Sequence, residues 1–130
     1  MKPPVIEAWH KLLDSESMDD LEDLLADDVV FQSPVVHTPQ EGKAITALYL
    51  KSAGMMFKAN AGFHYVNEWY NDSSAVLEFE AEINGIKING VDMIFWNKEN
   101  KIERFRVMLR PLKAVNLVHE FMGKLLAANK

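Results

Sequence analysis

Asp92 is the residue whose surroundings in the sequence most clearly allow chemistry. It lies in an alternating segment in which Ile94 shares its face, and Phe79 stands on the apolar face of the preceding alternating segment. An unpaired carboxyl group in apolar surroundings is costly to ionise, so we expect its pKa to be raised. The protonated form could donate a hydrogen bond to a ligand carbonyl or a developing enolate. The alternative is a structural acid that accepts a hydrogen bond from a backbone N–H group, Trp9 or Tyr49.

Two further polar residues, Ser33 and His37, lie on either side of Pro34. No Gly-x-Ser-x-Gly elbow surrounds Ser33 and no His/Asp order supports a triad, so we expect it to line a pocket or turn the chain. The imidazole of His37 could act as a general base, because this ring titrates near neutral pH. An exposed loop histidine is the alternative interpretation, and it is the more common case.

The remaining histidines form no metal-binding pattern. We expect His10 at the surface of the first helix, and His64 and His119 share no ligand spacing with His37. No histidines or carboxylates recur three or four residues apart on an inward face in a recognisable motif. The sequence therefore predicts no metal site and no cofactor.

Composition and charge narrow the class of partner. The 130 residues carry a formal net charge of −5, and an acidic protein is repelled by phosphate backbones, so nucleic acid is not expected to bind. The absence of cysteine removes thiolate nucleophiles, disulfides and Cys-ligated zinc, and it fits a reducing compartment. No basic segment precedes a long apolar run, and no apolar stretch approaches the ~20 residues that cross a bilayer. We therefore expect a cytoplasmic protein with no membrane partner.

Helices must hold some of these residues in place. Four segments carry apolar residues at helical spacing, and they run from Val5 to Leu13, Met18 to Leu25, Ile45 to Met56 and Leu112 to Leu125. The pair Pro3-Pro4 indicates the start of the first helix. Ser17 is expected to cap the second helix, with Asp20 three residues later, and Asp27-Asp28 to end it.

Strands account for most of the remaining chain. Five segments have a strand-like composition or a two-residue alternation, and they are residues 29–33, 63–70, 75–83, 86–96 and 102–110. Asn84-Gly85 is the strongest hairpin signal. Helices grouped before a four-strand antiparallel meander predict an α+β fold, with residues 1–130 as a single domain. The apolar face of the meander needs a cover, which the amphipathic helices can supply.

Three stretches, LADDVVFQSPVV, GKAI and INGVDMIFWNKENKIERFRVMLRP, carry a family resemblance over essentially the whole chain. The chain resembles the SnoaL-like branch of the nuclear transport factor 2 superfamily in these stretches. The shared features are an acidic end of the second helix, a short strand that ends in x-Pro, a glycine before the third helix, and a strand that contains Val-Asp. The resemblance implies a cone-shaped roll, in which a curved, mainly antiparallel sheet is wrapped by three N-terminal helices and a C-terminal helix around an apolar pocket. This superfamily includes isomerases, cyclases, hydrolases, dehydratases and binding proteins, so the fold alone assigns no reaction.

A comparison with the ketosteroid isomerases of this superfamily suggests roles for individual residues. Asp92 matches their protonated aspartate, and Tyr49 matches a tyrosine of their third helix. Trp9 stands where they have a tyrosine donor, and Ser33 stands where they have the general-base aspartate. The resemblance thus implies that Asp92 points into the pocket. Tyr49, by this match, or His37, by its residue type, is expected to assist it. The absent base argues against a conventional ketosteroid isomerase.

The pocket of this fold is a hollow within the core, so lining residues and core residues overlap. For most of the apolar candidates an ordinary core position is the alternative interpretation. The residues expected to line the pocket and bind a ligand are Trp9, Phe31, Ser33, Val35, Met56, Leu77, Phe79, Ile94, Phe105, Val107 and Leu109.

The outer face of the predicted sheet carries an acidic row and a basic row with one apolar strand between them. The rows are roughly 10 Å apart, so direct pairing within one chain would be strained. An apolar ridge with complementary charges at its rim favours an isologous homodimer, as superfamily members often form, over a solvated face. The residues concerned are Glu78, Glu80 and Glu82, then Val91, Met93 and Phe95, then Arg104, Arg106 and Arg110.

Two functional hypotheses follow. In the first, a small apolar substrate, carbonyl-bearing or cyclic, is polarised by Asp92 in an isomerase, cyclase or dehydratase type of reaction. In the second, the same pocket binds an apolar metabolite without chemistry, as in an accessory protein. A second titratable group within hydrogen-bond reach of a buried Asp92 would favour the first hypothesis.

Overall fold

Six strands form one curved, open sheet, and helices cover one of its faces. The computed structural model describes residues 2–15, 18–60 and 62–128. Within these ranges the elements are α1 (Pro4–Asp14), α2 (Leu21–Leu24), β1 (Leu25–Gln32), β2 (Gln40–Glu41), α3 (Lys43–Asn60), β3 (His64–Tyr70), β4 (Ser74–Ile83), β5 (Ile86–Trp96), β6 (Ile102–Arg110) and α4 (Leu112–Ala128). The sheet order is β2-β1-β6-β5-β4-β3, with β1 and β6 parallel and the other neighbouring pairs antiparallel.

The meander from β3 to β6 follows the alternation in the sequence. Leu77 on β4 stands opposite Asp92 on β5, and Asp92 stands opposite Val107 on β6, so these residues share the inner face. Apolar residues of α1, α3 and α4 join those of the strands in the core. The predicted α+β class, with helices wrapped on one face of a curved sheet, is therefore confirmed. None of the helices in the described ranges is both long and apolar enough to cross a membrane.

The second helix is shorter than its apolar spacing indicated. We predicted a helix from Met18 to Leu25 that ends at Asp27-Asp28, but α2 covers one turn and residues 25–28 already belong to β1. Leu25 is 1% exposed and pairs with Ile102, so pairing with the free edge of β6 outweighs the helical spacing here. The expected cap, Ser17, lies outside the described residues.

The segment after Ser33, predicted to be a loop, contains the short strand β2. It pairs with β1 through Val30 and Phe31, although its two polar residues carry no strand pattern of their own. β1 in turn extends the meander by parallel pairing with β6, with a register shift between Leu25 and Val30. These long-range pairings bring the loop at residues 33–36 beside the sheet edge, where it lines the cavity described below.

The core consists of two clusters of buried side chains within the described residues. One cluster joins α1, α2, β1 and part of α3 to the sheet, and Ile6 and Phe105 are among its largest fully buried side chains. The other joins the later part of α3 and α4 to the sheet around Phe79 and Ile83. Side chains from both clusters line the same cavity, so the core has a hollow that borders on both.

Gly90 allows the floor of this hollow to form. It lies on β5 opposite Phe79 and Leu109, and a Cβ atom here would lie 2.5 Å from Phe79 Cζ and 2.7 Å from Leu109 Cδ2. It would also lie 2.7 Å from the backbone oxygen of Met108, which cannot move aside as a flexible side chain would. The two large side chains therefore occupy the space that a side chain at position 90 would need.

Gly90→Ala should reduce the free energy of unfolding by about 1–3 kcal/mol, because a methyl group must displace packed side chains and backbone. Urea titrations monitored by circular dichroism would measure the change. The matched control is Gly123→Ala in α4, where an added Cβ meets no atom within 4 Å. That variant should be neutral or slightly stabilising, since alanine favours helix. Equal stability of Gly90→Ala and the natural chain would show that the floor tolerates the methyl group.

Candidate functional site

A cavity of about 820 Å³ lies between the inner face of the sheet and helices α1, α3 and α4. Most of its wall is apolar, with aromatic side chains from α1, β1, α3, β3 and β6. A volume of this order suits a small organic molecule. Asp92 is the charged residue that the middle of the sheet contributes to this wall.

Asp92 is a buried carboxyl group on the inner face of β5. Its relative exposure is 7%, and Leu77 and Val107 are its neighbours across the strands. Burial raises the pKa of Asp92 from the ordinary value of 3.8 to about 7, and a hydrogen bond from Tyr65 opposes that rise. A substantial fraction of the carboxyl group is therefore protonated near neutral pH, as its apolar surroundings in the sequence suggested.

A chain of two side chains, Tyr65 and Trp9, leads to this carboxyl group. The hydroxyl of Tyr65 donates to Asp92 Oδ2 over 2.6 Å, and Trp9 Nε1 donates to the Tyr65 oxygen over 2.9 Å. Burial and the neighbouring Asp92 carboxylate raise the pKa of Tyr65 well above its ordinary value, so this hydroxyl keeps its proton. Asp92 Oδ1 has no hydrogen-bond partner among the described residues. A proton carried on Oδ1 would be available to a ligand in the cavity.

Sequence reasoning missed Tyr65, although it predicted the strand that carries it. Regular alternation in β3 would put Tyr65 and Glu68 on opposite faces, because they are three residues apart. The register with β4 shifts between Tyr65 and Asn67, so Tyr65 stands opposite Phe79 and Glu68 opposite Leu77, both on the inner face. Nothing in the residue types around position 66 indicates this bulge.

Comparisons with known proteins support the architecture that these contacts describe. No family model matches the chain, and no curated protein sequence matches it. A steroid delta-isomerase from Pseudomonas aeruginosa is 30% identical in sequence, with a TM-score of 0.89 over 96% of this chain and 90% of that one. The chain belongs to the SnoaL-like, or nuclear transport factor 2-like, superfamily.

Two further solved structures are similar to this NTF2-like protein. An uncharacterised protein with a cystatin-like fold from Silicibacter pomeroyi is 28% identical, with a TM-score of 0.83 over 93% of this chain and 84% of that one. SalBIII, an epoxide hydrolase/cyclase-like enzyme in pyran ring formation in the polyether salinomycin, is 19% identical. Its TM-score is 0.61 over 82% of this chain and 87% of that one, a likeness of fold alone. Isomerase and cyclase enzymes are thus among the structural neighbours.

Most of the residues expected around the pocket of this NTF2-like protein lie at the cavity. The wall includes Trp9, Phe31, Ser33, Val35, Tyr49, Met56, Phe79, Asp92, Phe105, Val107 and Leu109. Leu77 and Ile94 do not reach it. Both are completely buried in the core cluster that also contains the buried side chains of α1.

The three proposed helpers of Asp92 are placed differently from one another. Tyr49 lines the cavity and its ring lies 5.2 Å from that of Phe31, but it makes no hydrogen bond with Asp92. Ser33 Oγ accepts a hydrogen bond of 3.0 Å from the backbone N–H of Val35, which makes it a turn residue at the cavity wall. His37 lies outside the cavity lining. Its loop turns it away from the group that it was expected to assist.

His10 is not the surface residue that its helix position suggested. It lines the cavity, and its Nε2 lies 2.6 Å from Glu68 Oε2, close but off the line of an ideal hydrogen bond. Glu68 also lies 3.8 Å from Lys2 Nζ and accepts a hydrogen bond from the Tyr70 hydroxyl. Burial and this bond raise the pKa of Tyr70 to about 12. Among the described residues, no group of three or more His, Asp or Glu side chains could hold a metal ion.

Asp92→Asn should change the pH dependence of stability in a defined direction. The pKa of Asp92 is about 7 in the folded chain against an ordinary 3.8, so between these values the folded state holds a proton that the unfolded state has lost. Asp92 therefore makes the free energy of unfolding fall as pH rises through this window, with a limiting slope of about 1.4 kcal/mol per pH unit. The amide that replaces the carboxyl group would not titrate, so the variant should gain stability relative to the natural chain from about pH 4 to about pH 7.

Urea titrations across this window would measure the difference between the two chains. Asp72→Asn in the exposed turn before β4 is the matched control, and its difference from the natural chain should stay flat. A flat difference for Asp92→Asn as well would mean that burial does not raise the pKa of Asp92.

Proposed function

We propose that this NTF2-like protein binds a small, apolar metabolite that is carbonyl-bearing or cyclic, and that it catalyses proton transfer next to the carbonyl group with Asp92 as the acid. One observation carries this proposal. A buried carboxyl group with a pKa near neutral stands in the wall of an apolar cavity, with one oxygen held by Tyr65 and the other without a partner among the described residues. A protonated carboxyl in such a place is a hydrogen-bond donor aimed at the bound molecule.

The chemistry follows from the order of the hydrogen bonds. A carbonyl oxygen beside Asp92 Oδ1 would accept its proton as negative charge develops during enolisation. Tyr65 donates to Oδ2 and Trp9 donates to Tyr65, so the carboxylate left behind remains hydrogen-bonded. These donors are already in position, and little reorganisation is needed when charge moves. The apolar wall excludes water and strengthens each of these interactions.

The comparisons support the class of reaction rather than a particular substrate. A relative with 30% identity is named as a steroid delta-isomerase, and an enzyme of similar fold is described as epoxide hydrolase/cyclase-like. Isomerisation and cyclisation both need an acid that polarises an oxygen atom. Ser33, where ketosteroid isomerases keep their base, is engaged in a turn and has no basic group, so this chain needs a base from elsewhere.

That same departure at Ser33 favours the second candidate function, ligand binding without turnover. In that case Asp92 would orient the ligand and no proton would be transferred. The presence of Tyr65 within 2.6 Å of Asp92 favours the enzyme, because it supplies a second titratable group in direct contact with the acid. The two functions share the binding site and differ in whether a carbon–hydrogen bond breaks.

Binding of 2-naphthol, a fluorescent bicyclic phenol whose oxygen mimics an enol, would test the site. Asp92→Leu removes the hydrogen bond to a charged or acidic partner, worth about 1.5–3 kcal/mol, so the dissociation constant should rise roughly 10-fold to 100-fold. Asp92→Asn keeps an N–H donor and should lose less. Asp72→Asn should bind as the natural chain does. Equal affinity of Asp92→Leu and the natural chain would remove Asp92 from the binding site.

We further propose that two copies pair through the outer face of the sheet. Val91 and Met93 stand between the acidic row of β4 and the basic row of β6, with Glu78 opposite Val91 and Arg106 opposite Met93. Trp69 and Met108 are 55% and 51% exposed on the same face. A two-fold axis parallel to β5, between the two facing sheets, would bring the acidic row of each copy over the basic row of the other. Apolar area and complementary charge therefore support a second copy of this chain as the occupant.

Phe95→Glu should shift the protein towards monomer, measured by sedimentation velocity over a range of concentrations. Phe95 lies on this face with the Arg104 guanidinium 5.5 Å from its ring centroid. A carboxylate here replaces apolar contact area and must be desolvated on pairing. Thr38→Glu, which adds the same charge in an exposed loop, should leave the association unchanged. A dimer of undiminished affinity in Phe95→Glu would rule out this face as the interface.

A further inference from the structure

A second pair of titratable side chains, His10 and Glu68, stands on the wall of the same cavity. His10 is on α1 next to Trp9, and its ring lies edge-on to the Tyr65 ring at 5.4 Å between centroids. Tyr65 thus contacts both pairs, through its hydroxyl to Asp92 and through its ring to His10. The acid and the histidine therefore share one neighbour and face one hollow.

The surroundings of His10 set the state of its ring. Glu68 is an anion that pairs with Lys2 and accepts from Tyr70, and its second oxygen lies 2.6 Å from His10 Nε2. A carboxylate at this nitrogen favours the tautomer with hydrogen on Nε2. Nδ1 then keeps its lone pair, and it makes no hydrogen bond among the described residues. The remaining titratable groups near His10 are Tyr65 on β3 and Asp14 on α1.

Other basic groups of the cavity wall are less suited to take a proton. Lys58 Nζ donates to the backbone oxygen of Ser15, and the His64 side chain is 60% exposed with Nδ1 bonded to the backbone oxygen of Gly62. His119 is exposed on α4. His10 combines a place on the wall, partial burial and a carboxylate oxygen 2.6 Å from its Nε2.

We propose that His10, oriented by Glu68, is the general base of this cavity and replaces the carboxylate that ketosteroid isomerases carry at the position of Ser33. This assignment rests on the proposed function, since a base is needed only if Asp92 acts as an acid on a carbonyl compound. The substrate class becomes a ketone with an acidic α-hydrogen, bound with its oxygen at Asp92 and that carbon towards His10. Glu68 acts through His10 and is a positioning residue.

The step balances within the site. His10 Nδ1 takes a hydrogen from the α-carbon as H⁺, and the electron pair of that C–H bond forms the carbon–carbon double bond of the enol. The carbonyl oxygen takes the proton of Asp92. In the second half, Asp92 regains its proton as the carbonyl re-forms, and the imidazolium returns a proton to carbon. If the imidazolium first exchanges its proton with solvent, return to the same carbon gives a ketone labelled by solvent hydrogen. Return to a conjugated carbon gives an isomer.

Hydrogen–deuterium exchange of 2-tetralone in D₂O, followed by ¹H NMR, would test this without knowledge of the natural substrate. The natural chain should accelerate exchange at the α-carbon, with a rate that rises with pH on the acidic side, as expected for catalysis by an unprotonated base. His10→Gln should lower the protein-catalysed rate about 100-fold or more and abolish that rise. Added imidazole should restore part of the rate in His10→Ala, as expected for a missing base.

Glu68→Gln keeps the shape of the side chain and removes its charge, so it should lower the rate less than His10→Gln and displace the pH profile. Glu103→Gln, an exposed residue of β6, is the matched control and should leave rate and profile unchanged. Circular dichroism and urea titration would establish that each variant is folded.

Binding of 2-naphthol separates failure of this assignment from failure of the proposed function. His10→Gln should bind the phenol within about twofold of the natural chain, since Asp92 provides the hydrogen bond. Asp92-dependent binding together with undiminished exchange in His10→Gln would overturn His10 as the base and leave the acid in place. Asp92-dependent binding with no exchange in the natural chain would also overturn it. Loss of Asp92-dependence in binding would instead overturn the proposed function.

Discussion

A hydrogen bond of 2.6 Å between the Tyr65 hydroxyl and the Asp92 carboxyl group is the contact on which this site depends. Burial makes the charged form of Asp92 unfavourable, and the hydroxyl offers it one compensating partner. With no partner the carboxyl would stay protonated and inert, and with several donors it would be an ordinary anion. This balance places the pKa of Asp92 at about 7, so both its protonated and its charged form are populated near neutral pH.

The fold maintains this balance by keeping the interior hollow. Helices α1, α3 and α4 cover the inner face of the sheet, but large side chains from two core clusters stand around the cavity without filling it. Gly90 has no side chain, and this leaves room for Phe79 and Leu109 on the inner face of the sheet. The outer face of the sheet lies away from this cavity and carries charged side chains.

The sequence allowed the meander, the positions of α1, α3 and α4, the family and the raised pKa of Asp92 to be predicted, because alternation and apolar surroundings are local signals. The predictions were wrong where a contact between distant parts of the chain determines the position of a residue. Leu25 belongs to a strand because it pairs with Ile102 on β6. His10 lines the cavity beside Glu68 of β3, a neighbour that is 58 positions away in the chain. His37 was chosen for its residue type, but the position of its loop relative to the cavity depends on the pairing of β1 with β2. Most of the pocket residues at the centre of the sheet could be predicted, because that prediction needed only the face of the strand on which each residue lies.

The bulge in β3 places two polar side chains of the cavity wall, Tyr65 and Glu68, on the same face of the sheet. Tyr65 and Glu68 both point inward because one surplus residue, Val66, interrupts the alternation between them. Shortening the strand by one residue would turn one of the two outward and leave the other in place. Among related chains, strand length at this single position would then distinguish proteins that hold both a tyrosine-bound acid and a carboxylate-bound histidine from proteins that hold one. One additional residue in an edge strand thus decides whether the cavity wall holds one of these polar side chains or both.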